Sequence, residues 1–472
     1  MTYAPDAPAV PGAPPAPGAP AVPPPPPPPT PPAGPPAGRG AWAEGAARLR
    51  AAATTEPGRL RILGAVLAAL VVAFGAVTAY EVADRASAAD DVVSRSQPLS
   101  ADAADIYRSL ADADTAAAGG FLAGAREPAG VRDRYEEDIT TASRLIVKAA
   151  ANTDGSSPSA RDITTLNEYL PRYTGLVERA RAANRQGLPL GGAYLRYANQ
   201  QMSTRLLPAA ERLYEAETAR LGRDDRDARR WPVLSLVAGV VALAALLWAQ
   251  RRTYLRTNRV FNHGLLAATA ASVVVLLWLA AGHTLARTEL HEARSHGQDS
   301  LEVLNEARIN SLKARANENL TLVARGAVLT ADGRSDKYET DYGTGMGRLV
   351  GALAEARRLA DDGAGSAPVA DAARRVAEWQ ERHKDARATD DGGDYEGALA
   401  KVIGAKGSTG ESFDEVDAAL DKALAHEQGE FTRAAEDGRG ALSGLPAGAA
   451  ALAVLGAAGA IMGINRRLSE YR

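Results

Sequence analysis

Chemistry in this chain is concentrated in arginines and tyrosines that recur at matched spacing. Asp133-Arg-Tyr-Glu-Glu-Asp138 is echoed by Asp336-Lys-Tyr-Glu-Thr-Asp341, and each is followed by Arg-Leu-aliphatic, at Arg144-Leu145-Ile146 and Arg348-Leu349-Val350. Leu166-Asn-Glu-Tyr-Leu-Pro-Arg-Tyr173 is echoed by Val376-Ala-Glu-Trp-Gln-Glu-Arg-His383, which sets Arg172 against Arg382. A guanidinium grips a carboxylate through two parallel hydrogen bonds. Acids beside a tyrosine suit the positive end of a helix. Tyr135, Arg144, Arg172, Tyr173, Tyr338, Arg348 and Arg382 are therefore the candidate ligand- or partner-binding residues. Each also has a plainer reading. Glu168–Arg172 and Glu378–Arg382 are i,i+4 pairs of the kind that lace a solvated helix, and the aromatic residues beside them suit a core.

Other chemistry is sparse. The 472 residues contain no cysteine, which removes disulfides, thiolate metal sites and cysteine nucleophiles. His291 and His296 are five apart and do not share a helix face. No GxxxxGK[ST], GxGxxG, HExxH or GxSxG stretch occurs. The expectation is no catalytic residue, no metal, no cofactor and no enzyme. A formal net charge of −3 argues against nucleic acid as a partner.

Four runs free of charged side chains position everything else: Ile62–Tyr80, Trp231–Ala249, Gly264–Gly282 and Ala441–Ile464. Each is long enough to cross a hydrocarbon core of ~30 Å as a helix. Gly444-x-x-x-Gly448 and Gly459-x-x-x-Gly463 in the fourth suit close helix packing. The basic residues fall on one side if every run crosses. They are Arg48, Arg50, Arg59 and Arg61 before the first; Arg251, Arg252, Arg256 and Arg259 between the second and third; and Arg466, Arg467 and Arg472 after the fourth. The positive-inside rule then puts both termini in the cytoplasm of a multi-pass cell-membrane protein. The four loop arginines serve topology or a cytoplasmic contact.

The organisation that follows is all-α. Residues 1–57 hold 19 of the 28 prolines, 18 of them by Pro36, and read as a disordered cytoplasmic tail. Transmembrane helices are expected at 60–80, 231–249, 263–282 and 441–464, with an Arg-rich loop at 250–262 and a cytoplasmic end at 465–472. Segments 81–230 and 283–440 are extracytoplasmic, rich in Ala, Leu, Glu, Arg and Asp, and each is cut by breakers into four stretches. That pattern predicts two tandem four-helix bundles from a duplicated unit, with the first and last helices of each running straight on from the spans.

On this layout, with its repeated D-[RK]-Y-E-x-D and E-[YW]-x-x-R motifs, the chain resembles the GlnX-type membrane sensors of actinobacteria. The resemblance implies a relay: an amino-acid-binding lipoprotein outside reports to the sensor, which passes the signal to a soluble serine/threonine kinase inside. The outer segments also resemble the ligand-binding bundles of chemoreceptors and sensor kinases, which implies pairing, between the two copies or in a homo-oligomer. The expected function is a non-enzymatic sensor of amino-acid availability in the lipid bilayer. The alternatives are a structural scaffold of the envelope and a transporter accessory subunit, the latter disfavoured by spans so poor in charge.

Overall fold

The computed structural model describes residues 56–468 except 125–126, 154, 156, 258–261, 361 and 405. The proline-rich tail up to residue 55, Arg259 and residues 469–472 lie outside the described residues.

Every element among the described residues is a helix, apart from a lone antiparallel bridge between Leu329 and Asp336. Helix α1 (Glu56–Asp91) passes through a π-helical turn (Val92–Ser96) into α2 (Gln97–Leu122). Then come α3 (Ala129–Ala151), α4 (Pro158–Arg185) and α5 (Leu190–Gln201), a second π-turn (Met202–Leu206), α6 (Leu207–Ala228) and α7 (Val233–Thr257). The second half runs α8 (His263–Glu292), a π-turn (Ala293–Gln298), α9 (Asp299–Ala324), α10 (Lys337–Leu359), α11 (Gly363–Asp391), α12 (Tyr395–Ile403), α13 (Thr409–Leu442) and α14 (Leu445–Leu468).

Local chemistry sets the boundaries. Ser157 precedes Pro158 and its hydroxyl accepts from the Ser159 amide, capping α4. Asp336 caps α10 through the Tyr338 and Glu339 amides at 2.8 and 3.1 Å. At α13 the Ser408 hydroxyl accepts from the Glu411 amide while Glu411 accepts from the Gly407 amide, a near relative of the capping box.

Four of the long helices are apolar and long enough to cross a membrane. Val66, Val72, Val237, Val240, Leu247, Leu277, Val454 and Leu455 are all more than two-fifths exposed along them. A soluble chain does not show water so continuous an apolar belt; lipid accounts for it. Small residues bring the segments together. A Cβ on Gly459 would meet the Gly264 carbonyl oxygen at 3.1 Å, and one on Gly448 would run into the Trp278 ring. Gly444 does otherwise. It sits at φ +76° in the turn between α13 and α14, where only glycine is at ease.

The helices that lead into the two bundles do so unbroken, through a π-turn each. The helices that lead out are interrupted, at 229–232 before Val233 and at 443–444 before Leu445. The expectation of straight continuity therefore holds for the incoming helices and fails for the outgoing ones. Pro232 carries no amide hydrogen for the ladder, and Gly444 adopts a left-handed turn. The second bundle also has one more break than its sequence suggested, at 404–408 between α12 and α13.

The bundles pack on each other along α2 and α9. These two helices are buried on nearly every face: Leu110–Ala118 is buried without interruption, and so are Ala307, Arg308, Asn310, Ser311 and Leu312. One core continues across both bundles, joining Tyr107, Leu110, Tyr173 and Leu206 to Leu312, Leu349, Trp379 and Phe413.

Candidate functional site

Two buried carboxylates mark the centres of the bundles. In the first, Asp114 on α2 accepts from the Tyr173 hydroxyl at 3.1 Å and from the Asn199 side-chain amide at 2.7 Å. No cation pairs with it among the described residues. Burial pushes its carboxyl up to about 6, against the pull of those two donors. In the second, Glu318 on α9 takes Arg315, the His383 ring Nδ1 at 2.8 Å and the Trp379 indole Nε1 at 3.2 Å. Burial pushes Glu318 up, but Arg315 and His383 together outweigh it and hold the carboxyl below its usual range. Burial likewise opposes the charge on His383, yet its hydrogen bonds to Glu318 and Glu339 raise it to about 9. The imidazole stacks on Tyr342 with ring centroids 3.7 Å apart.

Asp114 and Asn199 also line a cleft of about 370 Å³ between the bundles. The facing wall carries Lys313, Lys337, Tyr338, Asp341 and Arg348. Lys337 is paired with Asp341, Lys313 lies 3.9 Å from Glu211, and Arg348 is exposed with no ion pair among the described residues. The Tyr107 hydroxyl, fully buried at the cleft wall, has no hydrogen-bond partner among the described residues. The cleft thus sets a buried carboxylate, Asp114, against a facing wall that carries two lysines and an arginine.

The residues singled out from the sequence separate in space. Tyr338 and Arg348 share the cleft. Tyr173 is buried behind it and holds Asp114. Tyr135 lies in the core with the Arg181 guanidinium 4.2 Å above its ring. Arg144 is exposed. Arg172 makes the surface pair with Glu168 at 2.8 Å, whereas Arg382 is half-buried and ties Glu378, Glu411 and the Ser408 carbonyl together. Arg251 and Arg252 are exposed at the end of α7, Arg252 over the Trp248 ring at 5.2 Å. Arg256 lies on the same helix, its side chain outside the described residues.

Residues 88–226 match the family model described as the actinobacterial sensor domain. The first bundle is similar to that sensor domain. The matched span runs from the end of α1 through α6, so it includes Asp114, Tyr173 and Asn199. No curated protein and no solved structure matches the chain. The match supports a sensing role for a multi-pass helical protein. Missed by sequence reasoning were Asp114, Asn199 and Lys313, which the sequence marks only as polar residues within helical stretches.

Proposed function

We propose that the chain is a non-enzymatic transmembrane sensor with its bundles outside the cell membrane and both termini in the cytoplasm. The observation that carries this reading is the sensor-domain match over 88–226, on a bundle whose first helix is continuous with an apolar membrane-length segment. The signal is amino-acid availability. A free amino acid suits the cleft, its ammonium at Asp114 and its carboxylate at Lys313 or Arg348; a solute-binding lipoprotein docked over the rim is the indirect route. Occupancy favours one packing of α2 against α9, and a shift on the order of 1–2 Å along these helices passes into the membrane. The Arg-rich loop, with Arg251 and Arg252, hands the change to a serine/threonine kinase.

The test is a thermal-shift series on the full chain in lipid nanodiscs against single amino acids and candidate binding lipoproteins. A saturable shift that Asp114→Asn and Arg348→Ala each weaken supports the reading. No shift with any of them, together with no kinase recovered by crosslinking to the cytoplasmic side, overturns it.

A further inference from the structure

The second bundle brings together three donor groups that neither the core nor the cleft uses. His426 and Glu430 are one turn apart on α13 and so face the same way. Asp362 reaches them from the start of α11. Nε2 of His426 is 3.5 Å from Asp362 Oδ1 and 3.5 Å from Glu430 Oε1, and all three donor atoms lie within 4.8 Å of one another. These separations are too long for good hydrogen bonds. Nε2 is shut off from solvent and has no hydrogen-bond partner among the described residues.

We propose that Asp362, His426 and Glu430 bind a divalent cation, with zinc the best fit. Two atoms each about 2.0–2.1 Å from a tetrahedral zinc stand roughly 3.3 Å apart, close to the two 3.5 Å separations from His426 Nε2. One imidazole and two carboxylates carry two negative charges, which a divalent ion neutralises. Asp362 is held by an outer hydrogen bond, the Gly365 amide donating to its Oδ1 at 2.6 Å, as ligands of metal sites commonly are. A fourth position is left for water. The first bundle has no such group at the corresponding turn of α6, where Ala216 and Arg220 stand 210 residues before His426 and Glu430. A cation here fastens the α10–α11 connection to α13, the helix that leads to the last membrane segment. This site is separate from the cleft and does not depend on the sensing reading.

The test uses the full, tag-free chain in nanodiscs, stripped with a chelator and free of amino acids. Zinc sulfate is titrated calorimetrically, and cobalt(II) is followed by its visible absorption. One zinc per chain is expected, with intense tetrahedral cobalt bands that zinc abolishes. His426→Ala should weaken zinc at least about 100-fold and Asp362→Asn about 10-fold, in the range that loss of a ligand or its support produces. Helical content measured by circular dichroism shows whether a variant is folded; His426→Asn replaces His426→Ala if the latter is not. Equal affinity in the parent chain and in folded His426 variants overturns the proposal, as does binding only at millimolar zinc.

Discussion

The two bundles solve one problem in opposite ways. Each buries a carboxylate in the last third of its first helix, Asp114 on α2 and Glu318 on α9. Glu318 is given charge, from Arg315 and His383, and stays ionised. Asp114 is given only neutral donors, Tyr173 and Asn199, and burial pushes it up to about 6. Paired charge in a dry site is rigid because every partner removed leaves an uncompensated ion. A carboxylate held by neutral donors can exchange them for a cationic ligand. The second bundle therefore holds its carboxylate in fixed charge pairing, whereas the first, which is similar to the actinobacterial sensor domain, leaves its own to neutral partners.

Removing Arg315 should have the largest effect. Arg315→Met leaves Glu318 buried and short of a cation and should cost about 3–5 kcal/mol, read by denaturant unfolding of the full chain. Tyr173→Phe takes one neutral donor from Asp114 and should cost about 1–3 kcal/mol. If the two variants are equally destabilised, the contrast between the bundles is wrong.

The pH dependence sharpens the same contrast. Asp114 has a folded value above its ordinary 3.8, so its contribution to stability is intact at low pH and is lost as pH rises through about 6. His383 is also raised, from 6.5 to about 9, so its contribution is complete below 6.5 and is lost as pH rises through about 9. Asp114→Asn should flatten the stability profile between about pH 4 and 6, and His383→Gln between about pH 6.5 and 9. Asp138, pushed well above the usual carboxylate range by burial and by neighbouring Asp112, adds a slope that both variants keep. A profile moved in the same window by both variants would break the assignment.

The smallest effect separates the two matched arginines. Arg172→Ala removes an exposed pair and should change stability by no more than about 0.5 kcal/mol. Arg382→Ala loses the links to Glu411 and the Ser408 carbonyl and should cost about 1 kcal/mol or more. Thermal unfolding of both variants under one condition checks the order.

Much of the fold was legible from the chain. The four apolar runs, the helical composition and the breakers near Pro158, Leu190 and Lys337 place most helix ends within a few residues. The site was less legible. Tyr338 and Arg348 were found by their matched spacing, and they do share a cleft. Arg144 and Arg172 were found by the same signal and point to solvent. Matching spacing reports common ancestry or common helix register; it carries no information on which face meets another helix. Asp362 and His426 were passed over because they lie on different helices and only the packing of α11 and α13 joins them.

Sequence alone determined which segments are apolar enough for lipid, which are helical and where turns interrupt them, because these depend on run length, composition and local capping. The tertiary structure decided that α2 and α9 are buried on nearly all sides, and with that which polar groups lost water. Asp114 and Glu318 are ordinary acids in sequence. Their ionisation differs because α4 and α5 bring Asp114 a tyrosine and an asparagine, while Glu318 gains a tryptophan and a histidine from α11 and the arginine one turn before it on its own helix.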